Sequence, residues 1–188
     1  ATSPSQSSDW NKGAVVTGQI GWKETVYLDG SYRRDWYRAF RQFKDRGTPE
    51  DYGYFGFGAN AIVSNLVQLP EWFNYLKYRA SYSEVGNSIP GIVYAGATRN
   101  FETGALVPSS WATFKNPRPE KTASFETGFE ALFLNNRLSL DVTYYNSTMS
   151  NLYLVGTNAS GKSIPMNSAK IRNQGIEATV GYDFKFGQ

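Results

Sequence analysis

The sequence contains no cysteine and no histidine in its 188 residues. Without cysteine there are no disulfides, thiolate nucleophiles or sulfur metal ligands, and without histidine the commonest general base and metal ligand is missing. Catalysis would rest on carboxylates, Lys, Tyr or Ser alone, and no metal or cofactor site is expected. Charge is sparse as well, at 19% of residues, and its excess of +3 is scattered instead of gathered into the basic block that nucleic-acid binders carry. No nucleic-acid partner is expected. Long apolar runs are also missing. The uncharged stretch 52–70 has the length of a membrane helix, but Gly53, Gly56, Gly58, Asn60, Ser64, Asn65 and Gln68 do not suit one. The chain begins at Ala1, with neither a Met nor a charged and apolar leader, and reads as processed or as a piece of a longer protein.

What is abundant is the aromatic ring. There are 13 Tyr, 12 Phe and 5 Trp, although only 40% of residues are hydrophobic and the mean hydropathy is -0.46. Many rings in so polar a chain call for alternation, with apolar groups on one side of a sheet and polar groups on the other. Period two recurs over residues 14–22, 25–35, 52–66, 75–85, 122–134, 137–153 and 170–186, about seven strands with no competing helix. Leu138, Leu140 and Val142 alternate with Ser139, Asp141 and Thr143. Likewise Ile176, Ala178 and Val180 alternate with Glu177, Thr179 and Gly181.

The connections alternate too. Short ones at Lys23–Glu24, 67–74 and Asn135–Asn136 take turns with long ones at 36–51, 86–121 and 153–169. Short turns at one end of the strands and long loops at the other are the pattern of an outer-membrane barrel, and strands of about 9 to 15 residues match a tilted crossing. Aromatics are expected at both rims, Trp22, Trp72, Phe73, Tyr75, Phe133 and Phe184 near the short turns and Trp36, Tyr37, Tyr52, Tyr82, Tyr144 and Tyr145 toward the long loops. The fold class is thus all-β, an antiparallel transmembrane barrel, and partial, because single-chain bacterial barrels close with an even number of strands.

The Asn135–Asn136 turn fixes a register in which Glu130 faces Asp141, with Phe129, Phe133, Leu138, Leu140 and Val142 toward lipid. Two carboxylates face to face are a glycosidase arrangement in principle, although polar groups are expected on a lumenal wall in any case. Their repulsion calls for a cation, and Lys77 or Arg79 of the preceding strand is positioned to supply it. The long loop carries Tyr94, Phe101, Trp111 and Phe114, rings suited to stacking on a sugar or peptide or to packing the loop on itself. Asn146-Ser147-Thr148 and Asn158-Ala159-Ser160 match the glycosylation pattern by chance.

Several segments resemble the C-terminal barrel half of SusC/RagA-type TonB-dependent transporters. The run Tyr75-Leu76-Lys77-Tyr78-Arg79-Ala80-Ser81-Tyr82-Ser83-Glu84-Val85-Gly86-Asn87 is similar to one strand of that family, with Ser83 at a usual Gly. Pro119-Glu120-Lys121-Thr122, then Glu126, Gly128 and Glu130, then Asn136-Arg137-Leu138-Ser139-Leu140-Asp141-Val142-Thr143-Tyr144-Tyr145 resemble its hairpin, Asn167 through Asn173 with Gly175, Ile176 and Glu177 the next strand, and Arg34-Asp35 the end of an earlier one. The resemblance implies that residues 1–188 are a partial barrel, without the plug domain, within a barrel of about 22 strands. It implies import of glycans, oligosaccharides or peptides, a SusD-like lipoprotein partner, the TonB complex acting through a segment outside this stretch, and outer-membrane lipid around the wall. Tyr94, Phe101 and Trp111 become candidate substrate contacts. Lys77, Arg79, Glu126, Glu130, Asp141 and Glu177 become candidate lumen-facing charges. The chain is read as no enzyme. Two other readings stay open: a small complete outer-membrane barrel acting as an enzyme or adhesion protein, and a secreted glycan-binding β module.

Overall fold

The computed structural model describes residues 10–41, 44, 48–89, 97–99, 106–108, 112, 114 and 116–184. In chain order they form β1 (Asn11–Trp22), β2 (Val26–Tyr37), the single turn of helix α1 (Arg38–Arg41), β3 (Asp51–Ile62), β4 (Phe73–Asn87), β5 (Ala97–Arg99), β6 (Leu106–Pro108), β7 (Glu120–Phe133), β8 (Leu138–Thr157) and β9 (Ser163–Tyr182). Seven strands make one antiparallel sheet in the order β1-β2-β3-β4-β7-β8-β9, and β5 pairs only with β6. The architecture is the open antiparallel wall of a partial barrel, as the alternating sequence requires.

The turns explain the register. Lys23 and Glu24 both take positive φ, so Trp22 pairs with Val26 across a tight reversal. Leu134, Asn135 and Asn136 are left-handed in succession, a conformation that Asn accepts better than most residues. Phe133 then pairs with Leu138 and Glu130 with Asp141. These turns and the connection from Ile62 to Phe73 lie at one end of the sheet, and the connections after Tyr37, Asn87 and Thr157 at the other.

Cross-strand partners share a face, so complete rows can be followed across the sheet. Trp22, Val26, Ala61, Tyr78, Phe129, Val142 and Ala178 form one row, and Gly21, Tyr27, Asn60, Arg79, Gly128, Thr143 and Glu177 form the next, on the opposite face. The apolar face is bare: Ile20 is 75% exposed, Val16 73%, Ile176 72% and Val180 67%. Apolar exposure on that scale requires a covering medium or partner. Thr127, a polar group on this face, donates to the Tyr78 hydroxyl at 2.7 Å. On the polar face, side chains lean over Gly21, Gly56, Gly58, Gly128, Gly175 and Gly181. Over Gly18 and Gly30, which pair on the apolar face at mid-sheet, nothing lies within 4 Å, whereas nearer the long-loop end Gly53 carries the Tyr32 ring.

Most of the buried apolar residues gather at one end of the sheet. Tyr37, Ala39, Phe40, Ile89 and Phe114 form a small core at the long-loop end, with Tyr52 and Tyr153 packed against it. At the opposite end Trp72, Phe73 and Phe133 stack with centroids 4.6 to 6.0 Å apart.

Three expectations are corrected. The third strand ends at Ile62 because residues 63–65 wind into a 3-10 turn, although Val63 and Leu66 prolong the apolar pattern. The expected loop 153–169 is mostly hairpin: β8 and β9 continue to Thr157 and Ser163, past bulges that leave Ser150 and Asn151 of β8 and Ser168 and Lys170 of β9 without register partners. Such bulges break period two, which is why the pattern ended early. The longer β8 also leaves Tyr144 and Tyr145 at mid-strand, opposite Thr127 and Glu126, and not near the long-loop rim.

Candidate functional site: polar face and long-loop end

The register brings Lys77, Arg79, Glu126, Glu130, Asp141 and Glu177 to one face. Lys77 stands opposite Glu130, which stands opposite Asp141. Arg79 reaches across β7 over Gly128 and grips Asp141 with both terminal nitrogens, donating to Oδ2 at 3.0 Å and to Oδ1 at 2.6 Å, and to the Thr143 hydroxyl at 2.6 Å. A glycine at position 128 leaves the strip of β7 between them clear. This fork is the arrangement in which arginine binds carboxylate most strongly. Glu126, Glu130 and Glu177 form no ion pair among the described residues. A dent of about 190 Å³ beside the fork is lined by Asp29, Asn60, Arg79, Ser81, Glu126 and Thr143, among others.

Arg79 and Asp141 side chains are 37% and 41% exposed, so water screens their attraction and the cost of breaking it is modest. Arg79→Gln should lower stability of the full-length protein by about 1 kcal/mol in urea titrations followed by heat-modifiable gel mobility, because Asp141 then loses its fork and keeps Glu130 opposite it. Adding Asp141→Asn should restore most of the loss. A double variant no more stable than Arg79→Gln would show that the ion pair is not what Arg79 contributes.

Toward the long loops, a second network sits on the polar side. Arg33 donates its Nε to both Asp35 oxygens at 2.7 and 2.9 Å, the Tyr37 hydroxyl donates to Asp35 at 3.2 Å, and Tyr37 and Tyr54 share a hydrogen bond of 3.3 Å. Arg34 and Asp51 pair at the same end on the opposite face. Pairing of β3 with β4 stops at Gly56 and Ser83, although β4 stays paired with β7 as far as Asn87. The Tyr54 ring fills the gap, and Gly86 is bare where its hydroxyl rests. Next to it the nearly buried Glu84 accepts from Tyr82 at 2.6 Å and pairs with Lys121 at 2.7 Å.

Beyond the bulges, β8 and β9 form an arm. Three residues are tied to it: the Ala112 amide donates to the Ser163 carbonyl at 2.7 Å, the Phe114 ring meets Tyr153 at 5.8 Å, and Asn167 brackets Arg118 by accepting from its amide at 2.8 Å and donating to its carbonyl at 3.0 Å. Asn167 also donates to the Asn151 carbonyl at 2.6 Å. Asn151 is in the left-handed region, and Asn158 caps the tip by accepting from Ser160 and Lys162. In the sequence Asn158 stands out only in a chance glycosylation pattern and Asn167 only in a family resemblance, and neither they nor Asn151 were given a bracing role. Tyr94, Phe101 and Trp111 lie outside the described residues. Phe114, named with them, is buried against the arm.

An open antiparallel sheet with one apolar exposed face, one polar face and a packed loop end is a stretch of membrane-barrel wall. The comparisons with known proteins agree: the family described as TonB dependent receptor-like, beta-barrel matches residues 1–188, and the chain belongs to it. Membership implies a barrel of the outer membrane serving transport. Among solved structures, the chain resembles the RagAB peptide transporter (TM-score 0.72, 24% identity, 93% of this chain and 20% of that one). It also resembles the siderophore receptor PirA from Acinetobacter baumannii (0.59, 12%, 93% and 26%). A third is the ferripyoverdine receptor of the outer membrane of Pseudomonas aeruginosa (0.55, 16%, 94% and 21%). The chain thus spans about a fifth to a quarter of these relatives. No curated protein sequence matches it.

Proposed function

We propose that this chain is part of the wall of a SusC/RagA-type importer in the bacterial outer membrane, taking up glycans, oligosaccharides or peptides. The observation that carries the reading is the division of the sheet into an exposed apolar face, meant for lipid, and a polar face bearing Lys77, Arg79, Glu126, Glu130, Asp141 and Glu177, meant for the lumen. The likeness to the RagAB peptide transporter supports the branch. On this reading a SusD-like lipoprotein covers the long-loop end, and the TonB complex acts through another part of the protein. The polar face serves the wall and the plug rather than hydrolysis, since Arg79 occupies both oxygens of Asp141.

The test is uptake. Cells lacking the gene should lose growth on one class of oligosaccharide or peptide, regain it with the full-length gene, and lose it again when the proton gradient is collapsed. A lipoprotein should copurify with the full-length protein in detergent. Normal growth on every such nutrient without the gene would remove the reading. Tyr94 and Trp111 are the proposed ligand or lid contacts, with Phe101 beside them in the same loop. Replacing Tyr94 and Trp111 with Ala should lower uptake at unchanged barrel abundance, and unchanged uptake together with unchanged lipoprotein binding would withdraw that assignment.

A further inference from the structure

The clamp that Asn167 places on Arg118 leaves a cleft of about 690 Å³ with Ala112, Asn116 and Arg118 on one side and the arm on the other. Its walls differ. Ile164, Pro165 and Met166 give it an aliphatic side, and Asn116, Arg118 and Asn151 give it a polar one. The Arg118 backbone is fixed through both its N–H and its carbonyl, but its guanidinium has no ion-pair partner among the described residues, and the described lining residues include no carboxylate. Asn167 spends its amide on the backbone, and Asn151 donates to the Pro119 carbonyl at 3.3 Å, which leaves the Asn151 side-chain oxygen to accept.

We propose that this cleft binds the carboxyl-terminal end of a short peptide, with Arg118 as the residue that selects for the free carboxylate. The chemistry matches part by part. An arginine can fork onto a carboxylate through two parallel N–H bonds, and the two backbone bonds to Asn167 hold the root of the exposed Arg118 side chain at the cleft. Side-chain amides at Asn116 and Asn151 meet the donors and acceptors of peptide bonds. The aliphatic wall takes an apolar side chain. The volume lies within the range of small-ligand sites and accommodates a few residues. A neutral oligosaccharide offers no anion to Arg118 and would leave the cation unanswered. This inference rests on the import reading above and narrows it to peptides at this site.

The experiment uses the full-length protein immobilised in detergent and a pool of random-sequence pentapeptides, offered either as free acids or as C-terminal amides, with maltopentaose as a neutral glycan. Retention is quantified by mass spectrometry. Free acids should be retained about tenfold or more over amides, as a charge-assisted bond to a carboxylate warrants. Arg118→Gln should reduce retention of the acids to the level of the amides and leave the amides unchanged. Ile164→Trp, which fills the aliphatic side, should weaken both. Equal retention of acids and amides by the unaltered protein, or a preference that survives Arg118→Gln, would overturn the proposal. Retention of maltopentaose alone would overturn it while leaving the import reading intact, whereas failure of the growth test would strike the import reading itself.

Discussion

Ile176→Arg should cost the full-length protein about 2 to 4 kcal/mol, and Glu177→Arg, one residue further on, less than about 1 kcal/mol. Ile176 is 72% exposed and pairs with Tyr144, about midway along a crossing of roughly 11 residues counted from the Leu138 end. An arginine there would be held in hydrocarbon with only a long reach to either rim. Glu177 pairs with Thr143 on the other face, beside the oxygens that Arg79 already uses, where a cation has water and carboxylates at hand. Urea titration of both variants in lipid vesicles measures the difference. Equal costs would mean that the two faces do not meet different solvents, and the membrane reading would fall with them.

Gly128→Ala should cost about 2 kcal/mol, through contact rather than through solvent. A methyl at this position would press on the Val142 carbonyl oxygen and come within 3.0 Å of the Thr143 hydroxyl and 3.1 Å of its Cα. Two of these atoms are backbone and cannot swing aside. The third is the hydroxyl that Arg79 holds at 2.6 Å, so the ladder between β7 and β8 and the fork on Asp141 would be disturbed together. Gly18→Ala is the control: nothing lies within 4 Å of the added methyl, and the loss of freedom in the unfolded chain should make the change neutral or stabilising by about 0.4 to 1 kcal/mol. The same titration compares them. Equal behaviour of the two variants would mean that crowding at Gly128 is relieved at no cost.

The faces of the sheet were legible because the simplest periodic signal carries them. Leu138 through Thr143 and Ile176 through Gly181 alternate without interruption, and a tight turn at Asn135 converts alternation into register. Arg79 and Asp141, 62 residues apart, could be brought together on paper because two registers meet on β7. The long-loop end was opaque for the opposite reason. The bulges between Met149 and Tyr153 reset the period, the left-handed Asn151 has no regular neighbour, and the bracket that Asn167 places on Arg118 spans 49 residues with no periodicity to announce it. The wedge of Tyr54 against Gly86 depends on a ladder that stops early, and nothing in either residue type foretells where a ladder stops.

The glycines of the sheet are crowded unequally on its two faces. Side chains close over Gly21, Gly58 and Gly175 on the polar face, whereas on the other Gly18 and Gly30 are open at mid-strand and only Gly53, nearer the long loops, lies under a ring. Stones in an arch behave the same way, narrow at the inner edge and broad at the outer. A strand with little bulk on one side lets its neighbours tilt toward that side, so the missing Cβ atoms act as the taper. Curvature is then set by the difference in volume between the two faces. Flattening such a sheet would be a matter of thickening its polar face, one small residue at a time, with the hairpin turns left as they are.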